Sequence, residues 1–269
     1  MSFEFLDPAF VQPFFTGLAF AVLLPLFGAY LRLRDEWLAA LAFAQTAAAG
    51  SLLAMLFGAP LMVGGLLAAA VAAVVKNGFE GAARGVQGVA YAMLLLFAWG
   101  ASVLLVANLP LAERLGHALF DGQLYFTDST HLWAAATCLV FGGAGLLRLS
   151  NGLLLAHFFP DFFRARGRSA RRIHLVFDML AAAALALATM SVGVMAAFAL
   201  IFVTPFVAWG WSTSWRRALA GAVGIGVAAY GLAFFLALWL DQPFGPLLAL
   251  VLVGAGIVSS LLRQTLGHA

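Results

Sequence analysis

The sequence has little charge. Asp, Glu, Lys and Arg make up 9% of its 269 residues, where a soluble domain carries roughly 25%. It has one cysteine, Cys138, set in an apolar run. A single thiol excludes an intrachain disulfide and any multi-cysteine metal site, and reads best as a small packed side chain. There is no Gly-rich phosphate loop followed by Lys-Ser/Thr, so no nucleotide hydrolysis is expected in this chain. The first ten residues hold Glu4 and Asp7 but no Lys or Arg, so the basic start of a signal peptide is missing. His117, His131, His157, His174 and His268 all fall at loops or ends. That placement argues against a haem anchor, whose ligands pair across spans. No Ser/His or Asp/Asp pair sits at midspan depth, which argues against an intramembrane protease.

What is present is apolar. The chain is 64% hydrophobic, with a mean hydropathy of +1.04. A membrane span needs about 20 apolar residues. Nine such segments can be drawn: Val11–Tyr30, Trp37–Phe57, Pro60–Val75, Val86–Ala107, Leu132–Leu149, Leu175–Ser191, Gly193–Trp211, Ala218–Leu240 and Phe244–Leu262. The third is short enough to be re-entrant. The expected fold is an all-α polytopic membrane bundle forming one permease-like domain over residues 1–269, with no soluble domain, low-complexity tract or clear repeat. Gly221, Gly224 and Gly226 imitate part of a dinucleotide fingerprint, but inside an apolar helix they favour close helix contact.

Charge orients the bundle. With the N-terminus outside, the inner turns hold Arg32, Arg34, Lys76, Arg84, Arg148, Arg164, Arg166, Arg168, Arg171, Arg172, Arg216, Arg217 and Arg263, leaving only Arg114 outside. Glu4, Asp7, Glu113, Asp121, Asp128 and Asp241 then lie outside. The expectation is N-out and C-in, because Lys and Arg near spans resist export. The same bias accounts for the sequence pI of about 9.5 without nucleic acid, and none is expected as a partner.

The densest polar stretch is HFFPDFFRARGRSARRIHLVFD, His157 to Asp178, with five of the 14 Lys+Arg. Phe158, Phe159, Phe162 and Phe163 supply an apolar anchor and the arginines supply charge. Two readings stand: a docking segment for a soluble cytoplasmic protein, or a basic loop lying on anionic membrane lipid.

Here the sequence resembles the membrane permeases of bacterial zinc and manganese ABC importers. Their Pro-Asp pair, short helix and Gly before a basic turn read here as Pro160-Asp161, Phe162–Arg166 and Gly167, without a gap. Other matches follow in order: Arg32-Leu33-Arg34 after the first span, Ala44 to Gly50 in the second, Leu119–Phe126 as the external Leu-Phe-Gly segment, Val192-Gly193 leading to Thr204-Pro205, and Phe244–Leu250 opening the last span. Together they favour docking over a lipid-lying loop. The resemblance implies that residues 157–173 couple to a cytoplasmic ABC ATPase, through Pro160, Asp161, Phe162, Phe163, Arg164, Arg166 and Gly167. It also implies a periplasmic solute-binding protein, a homodimeric pathway in the bacterial inner membrane, and no cofactor. The chain itself would not be an enzyme.

Departures from the family pattern bear on the cargo. The family's second span carries an Asp and, four residues later, a His. That spacing puts both on one helical face, where they can bind a divalent metal. Here those positions are Leu41 and Gln45. In the seventh span, Phe206 and Trp209 replace the usual small residues after the proline. Intramembrane polar groups are candidates for function because burial there is costly. Gln45, Thr46, Thr204 and Asp178 are therefore the candidate pathway residues. Helix-to-helix bonding is the alternative for Gln45 and Thr46, and an ion pair with a residue such as Arg172 for Asp178. His117, Asp121, Asp128 and His131 form either an external metal-capture point or a loop that simply stays wet, the second being favoured. Met55, Met62, Met93, Met190 and Met195 read as packing. The expected function is ATP-driven import of zinc or manganese by alternating access; the alternative is a metal chelate or another small polar solute.

Overall fold

The computed structural model describes residues 8–122, 124–166 and 169–266. All regular structure among them is helical: α1 (Pro8–Leu33), α2 (Trp37–Leu56), α3 (Leu61–Gly78), α4 (Arg84–Asn108), α5 (Pro110–His117), α6 (Ser129–Phe158), α7 (Pro160–Ala165), α8 (Arg171–Val192), α9 (Val194–Trp211), α10 (Trp215–Leu240) and α11 (Phe244–Leu266). Nine of these are long and apolar enough to cross a membrane. The third expected span is one unbroken helix of 18 residues, not a broken re-entrant hairpin. The fifth is 30 residues long and runs on to Phe158, because Asn151 and Gly152 do not stop it. At 1.5 Å per residue, α6 is about 45 Å long and projects beyond a hydrocarbon core of about 30 Å.

Burial divides the spans into two groups. α1, α2, α8 and α9 are 67%, 72%, 61% and 61% buried, while α4 and α6 are each 17% and α11 is 22%. The first four form the core, α4, α6 and α11 its periphery, and α3 and α10, each 33% buried, lie between. Alanine makes that core possible. Ala39, Ala40, Ala42, Ala44, Ala47 and Ala48 on α2 and Ala181, Ala182, Ala184, Ala186 and Ala188 on α8 are all buried, so backbones approach closely where lipid gives no hydrophobic drive.

Proline and glycine pair up across the core. Pro25 in α1 cannot donate to the carbonyl of Ala21, and Pro205 in α9 cannot donate to that of Ile201. A neighbouring glycine packs against each of these carbonyls. A Cβ on Gly226 of α10 would lie 2.7 Å from the Ala21 oxygen, and one on Gly28 of α1 would lie 1.8 Å from the Ile201 oxygen. Gly221 and Gly226 thus serve close packing as their sequence suggests, whereas Gly224 meets nothing within 4 Å.

Candidate coupling and translocation sites

One end of the bundle gathers the basic turns. There α6 ends at Phe158, Phe159 breaks the helix with φ −132° and ψ 66°, and α7 begins at Pro160, where a missing N–H costs nothing. Phe158 and Phe159 are 60% and 63% exposed, on a segment joining two spans. Phe162 and Phe163 meet edge to face at 5.6 Å, and the Arg166 guanidinium lies 4.5 Å from the Phe162 ring centre. Asp161 is also exposed. Five of the seven expected coupling residues, Pro160 to Arg164, are thus on α7. Gly167 lies outside the described residues, as do the side chains of Pro160 and Arg164.

The helix that follows this segment carries part of a buried ionic network. Asp178 on α8 is wholly buried; its Oδ2 lies 2.6 Å from Lys76 Nζ at the end of α3, and its Oδ1 3.3 Å from Arg34 Nη1. Glu36 completes the set, at 2.9 Å from Arg34 and 3.0 Å from Lys76. The Tyr91 ring centre is 5.9 Å from the Lys76 ammonium. Two cations and two carboxylates balance, as burial of charge requires. Burial alone would depress the Arg34 pKa, but the Asp178 and Glu36 carboxylates override it and hold the guanidinium above its ordinary value. Asp178 therefore has basic partners, but Arg172 is not among them. Arg172 is six residues away on the same helix, which at 3.6 residues per turn faces elsewhere, and it is exposed. α3 and the turn after α1 supply the partners instead.

The network reaches the root of the α7 segment. Arg171 opens α8 and donates from Nε to Asn77 Oδ1 and from Nη2 to the Asn77 carbonyl, both at 2.9 Å. Asn77 in turn donates to Glu80 Oε2 at 2.7 Å, and Glu80 pairs with the His174 ring. Burial pushes the Glu80 carboxyl up, but His174, Arg34 and Lys76 outweigh it and leave it below the usual carboxylate range. Ser169 caps the turn by accepting from Arg171 N at 3.1 Å.

The candidate pathway residues do not converge. Gln45 is 2% exposed, and its amide nitrogen has no hydrogen-bond partner. Thr46 donates to the Ala42 carbonyl and Thr204 to the Leu200 carbonyl, each at 2.6 Å, so both hydroxyls bond within their own helices. Asp178 belongs to the ionic network. Among the described residues, no group of three or more His, Cys, Asp or Glu side chains is arranged to hold a metal ion. A cavity of about 590 Å³ does open at the basic end of α1, α2 and α9, lined by Arg32, Asp35, Trp37, Phe202, Phe206 and Trp209 among others. None of the four candidate residues lines it.

At the opposite end the segment around Gly122 is wedged into the core. Gly122 (φ 77°) and Gly193 (φ 89°) stand against each other, and a Cβ on Gly122 would lie 2.2 Å from the Val192 carbonyl oxygen. Only glycine fits that geometry. Asp128 is the N-cap of α6 and accepts from His131 N at 3.0 Å and His131 Nδ1 at 2.7 Å. This pair is occupied in starting a helix. The side chains of His117 and Asp121 lie outside the described residues.

Comparison with known proteins decides the class. The model of the ABC 3 transport family matches residues 2–263. The chain belongs to that family. It is a permease of an ABC transporter, a multi-pass membrane protein and not an enzyme; ATP hydrolysis resides in a separate subunit. Solved structures share the fold. PsaBC from Streptococcus pneumoniae, in complex with Fab, superposes with a TM-score of 0.83 at 17% identity, over 96% of this chain and 95% of that one. An inward-facing ABC transporter described as being of metal-chelate type gives 0.75 at 17% identity, over 98% and 91%. No curated protein matches.

Proposed function

We propose that this permease is the translocation subunit of a metal importer in a bacterial inner membrane, oriented N-out and C-in, and that it works by alternating access. Its basic end is cytoplasmic. There α7, with Phe162, Phe163, Asp161 and Arg166, docks on the ABC ATPase, and the opposite end receives a periplasmic solute-binding protein. A second copy completes the pathway. Apart from Gly210 and Trp211 at its end, α9 leaves unburied a single stripe of Met195, Phe198, Phe202, Phe206 and Trp209, at helical spacing. That stripe is available to face the pathway.

The observation that carries the coupling assignment is the exposed aromatic helix α7, whose following turn is anchored through Arg171 to Asn77 and the ion pairs behind it. A force applied at α7 is delivered to α3, α8 and the α1–α2 turn together. The resemblance to zinc and manganese permeases supports a transition metal as cargo. Two forms of that cargo are distinguishable. A bare ion is the form the family resemblance implies. The second, a metal chelate, is favoured by Leu41 and Gln45 standing where ligands would be, and by the likeness to a transporter of metal-chelate type.

Co-purification tests the assignment. The cognate ATPase is expected to co-elute with the wild-type chain and to be lost from the Arg166→Glu, Phe162→Ala variant. In a Cys138→Ser background, Thr130→Cys should react with an impermeant thiol reagent on intact spheroplasts and Ser169→Cys should not. Reversed labelling, or full ATPase association by the α7 variant, would exclude this coupling role.

A further inference from the structure

The cavity at the basic end has walls suited to an organic molecule. Trp37 and Phe202 ring centres are 5.4 Å apart, and Phe202 stacks on Phe206 at 6.1 Å. Arg32 spans the far side, its guanidinium 5.0 Å from the Phe206 centre and 5.7 Å from that of Trp209. Arg32 forms no ion pair among the described residues. A guanidinium beside aromatic rings can still offer its N–H edge, and that edge matches a carboxylate in two parallel hydrogen bonds. Arg263 adds a second positive charge nearby, packed so closely over Gly210 that a Cβ there would lie 1.5 Å from its Nη1. Asp35 is the carboxylate on the lining, exposed beside Trp37.

These features exclude some occupants. A bare divalent cation would meet aromatic faces and the Arg32 guanidinium, with one carboxylate to hold it, and hard or borderline metals need several oxygen or nitrogen donors. The volume of about 590 Å³ is instead that of a small-molecule site. The α9 stripe continues from Phe202 to Phe198, stacked at 5.5 Å and 2° between planes, so the aromatic surface leads away from the cavity along the helix.

We propose that this cavity binds a planar organic anion, a chelator in its free or metal-loaded form. Its carboxylate would lie on the edge of Arg32 and its ring on Phe202, Phe206 and Trp209. This rests on the metal-importer reading and names the form in which the metal travels. Charge and stacking act on different parts of the ligand. Arg32 supplies the counter-charge, and the rings accept any flat ligand without a metal donor of their own.

The test uses the permease with its ATPase in phosphatidylcholine nanodiscs. Dipicolinate, free and as its zinc complex, is titrated by equilibrium dialysis and by quenching of tryptophan fluorescence, with zinc chloride alone in parallel. Saturable binding of dipicolinate is expected. It should weaken at least tenfold in Arg32→Lys, which keeps the charge but loses the planar fork, and in Phe206→Leu, while Arg217→Gln binds normally. Size-exclusion profiles confirm that each variant is folded. Absence of saturable binding, or equal binding by Arg32→Lys and Phe206→Leu, overturns the proposal. So does tight binding of zinc alone that is lost in Arg32→Lys. Binding abolished by phosphatidylglycerol nanodiscs would make the cavity a lipid site, and a change of dimer mass without a change of binding would make it a contact between copies; either result also overturns it. ATPase co-elution is independent of these readings. A chain that keeps its ATPase and imports metal but binds no dipicolinate leaves the importer standing and removes only the chelate; one that binds no ATPase removes the importer.

Discussion

Lys76 at the end of α3 lies 2.6 Å from Asp178 on α8, and both side chains are removed from solvent. With Arg34 and Glu36 they form a set of two cations and two carboxylates, which the loss of any one member unbalances. Breaking a buried pair on one side leaves an uncompensated ion and costs about 3–5 kcal/mol, whereas replacing both partners by apolar groups is often far milder. Lys76→Met and Asp178→Leu are each expected to lose most folded protein, because Arg34 and Glu36 are left unbalanced in the same site. The double variant should recover a large part of the loss. Fluorescence-detected size exclusion after a temperature ramp measures this. Additive losses would show that the two residues are not a unit.

The proline-freed carbonyls give a sharper packing test. A methyl at Gly28 would sit 1.8 Å from the Ile201 oxygen, while one at Gly224 meets nothing within 4 Å. Overpacking typically costs about 1–3 kcal/mol, and here the neighbour is backbone, which cannot swing aside. Gly28→Ala should therefore lower thermal stability clearly. Gly224→Ala should leave it unchanged or slightly raised, since alanine is the better helix former by about 1 kcal/mol. Equal effects at the two sites would contradict the helix contacts described above.

Glu80 makes the basic end sensitive to acid. Its pKa is held below the ordinary carboxylate range by His174, with Arg34 and Lys76 adding to the effect against the opposing cost of burial. A depressed folded-state pKa means that the stabilisation is fully present above the ordinary glutamate value. It is lost as pH falls through the lowered folded value. The Glu80→Gln variant should consequently be less stable than wild type at pH 7. The gap should close as the pH falls below about 4. Thermal-unfolding midpoints across that range check the sign; a gap that widened in acid would refute it.

The architecture is legible in the sequence because lipid imposes a simple rule. Long apolar runs separated by charged turns mark nine spans, and nine helices of that kind are present among the described residues. Span ends are less legible. α6 outruns its apolar core by a helical stretch through Asn151 and His157, where no proline or cap stops it. The site residues are harder for a physical reason. Thr46 and Thr204 read as pathway groups, but a threonine in a helix can bond the carbonyl four residues back, and sequence cannot show that it does so. The Lys76–Asp178 pair joins residues 102 apart, and periodicity carries no such long-range pairing. The one available signal is a charge at the edge of each apolar run: Lys76 closes one, and Asp178 lies in the first turn of the other. Phe206 and Trp209 stand out in the sequence as bulky residues after Pro205; their place under Arg32 needs the fold.

The positions where the resemblance would place metal ligands supply a gain-of-function prediction. Leu41 and Gln45 are four residues apart on α2, so they share a helical face. Gln45 is buried with an unpartnered amide nitrogen, and Leu41 is half-buried beside it. An Asp and a His at these positions would bring a carboxylate oxygen and an imidazole nitrogen within reach of one divalent ion. The wild-type permease is expected to show no tight site for zinc or manganese when titrated alone. Leu41→Asp with Gln45→His should bind zinc measurably, with affinity falling as pH drops through the histidine range because the ring must be neutral to ligate. Conduction requires release as well as capture, so the same variant should slow uptake by the assembled importer by trapping the ion. Isothermal titration of the purified variant and metal uptake in whole cells are the two measurements. Zinc bound equally by wild type would mean that the permease already holds an ion elsewhere, and a variant that binds zinc yet transports faster would show that an added ion site does not trap the cargo.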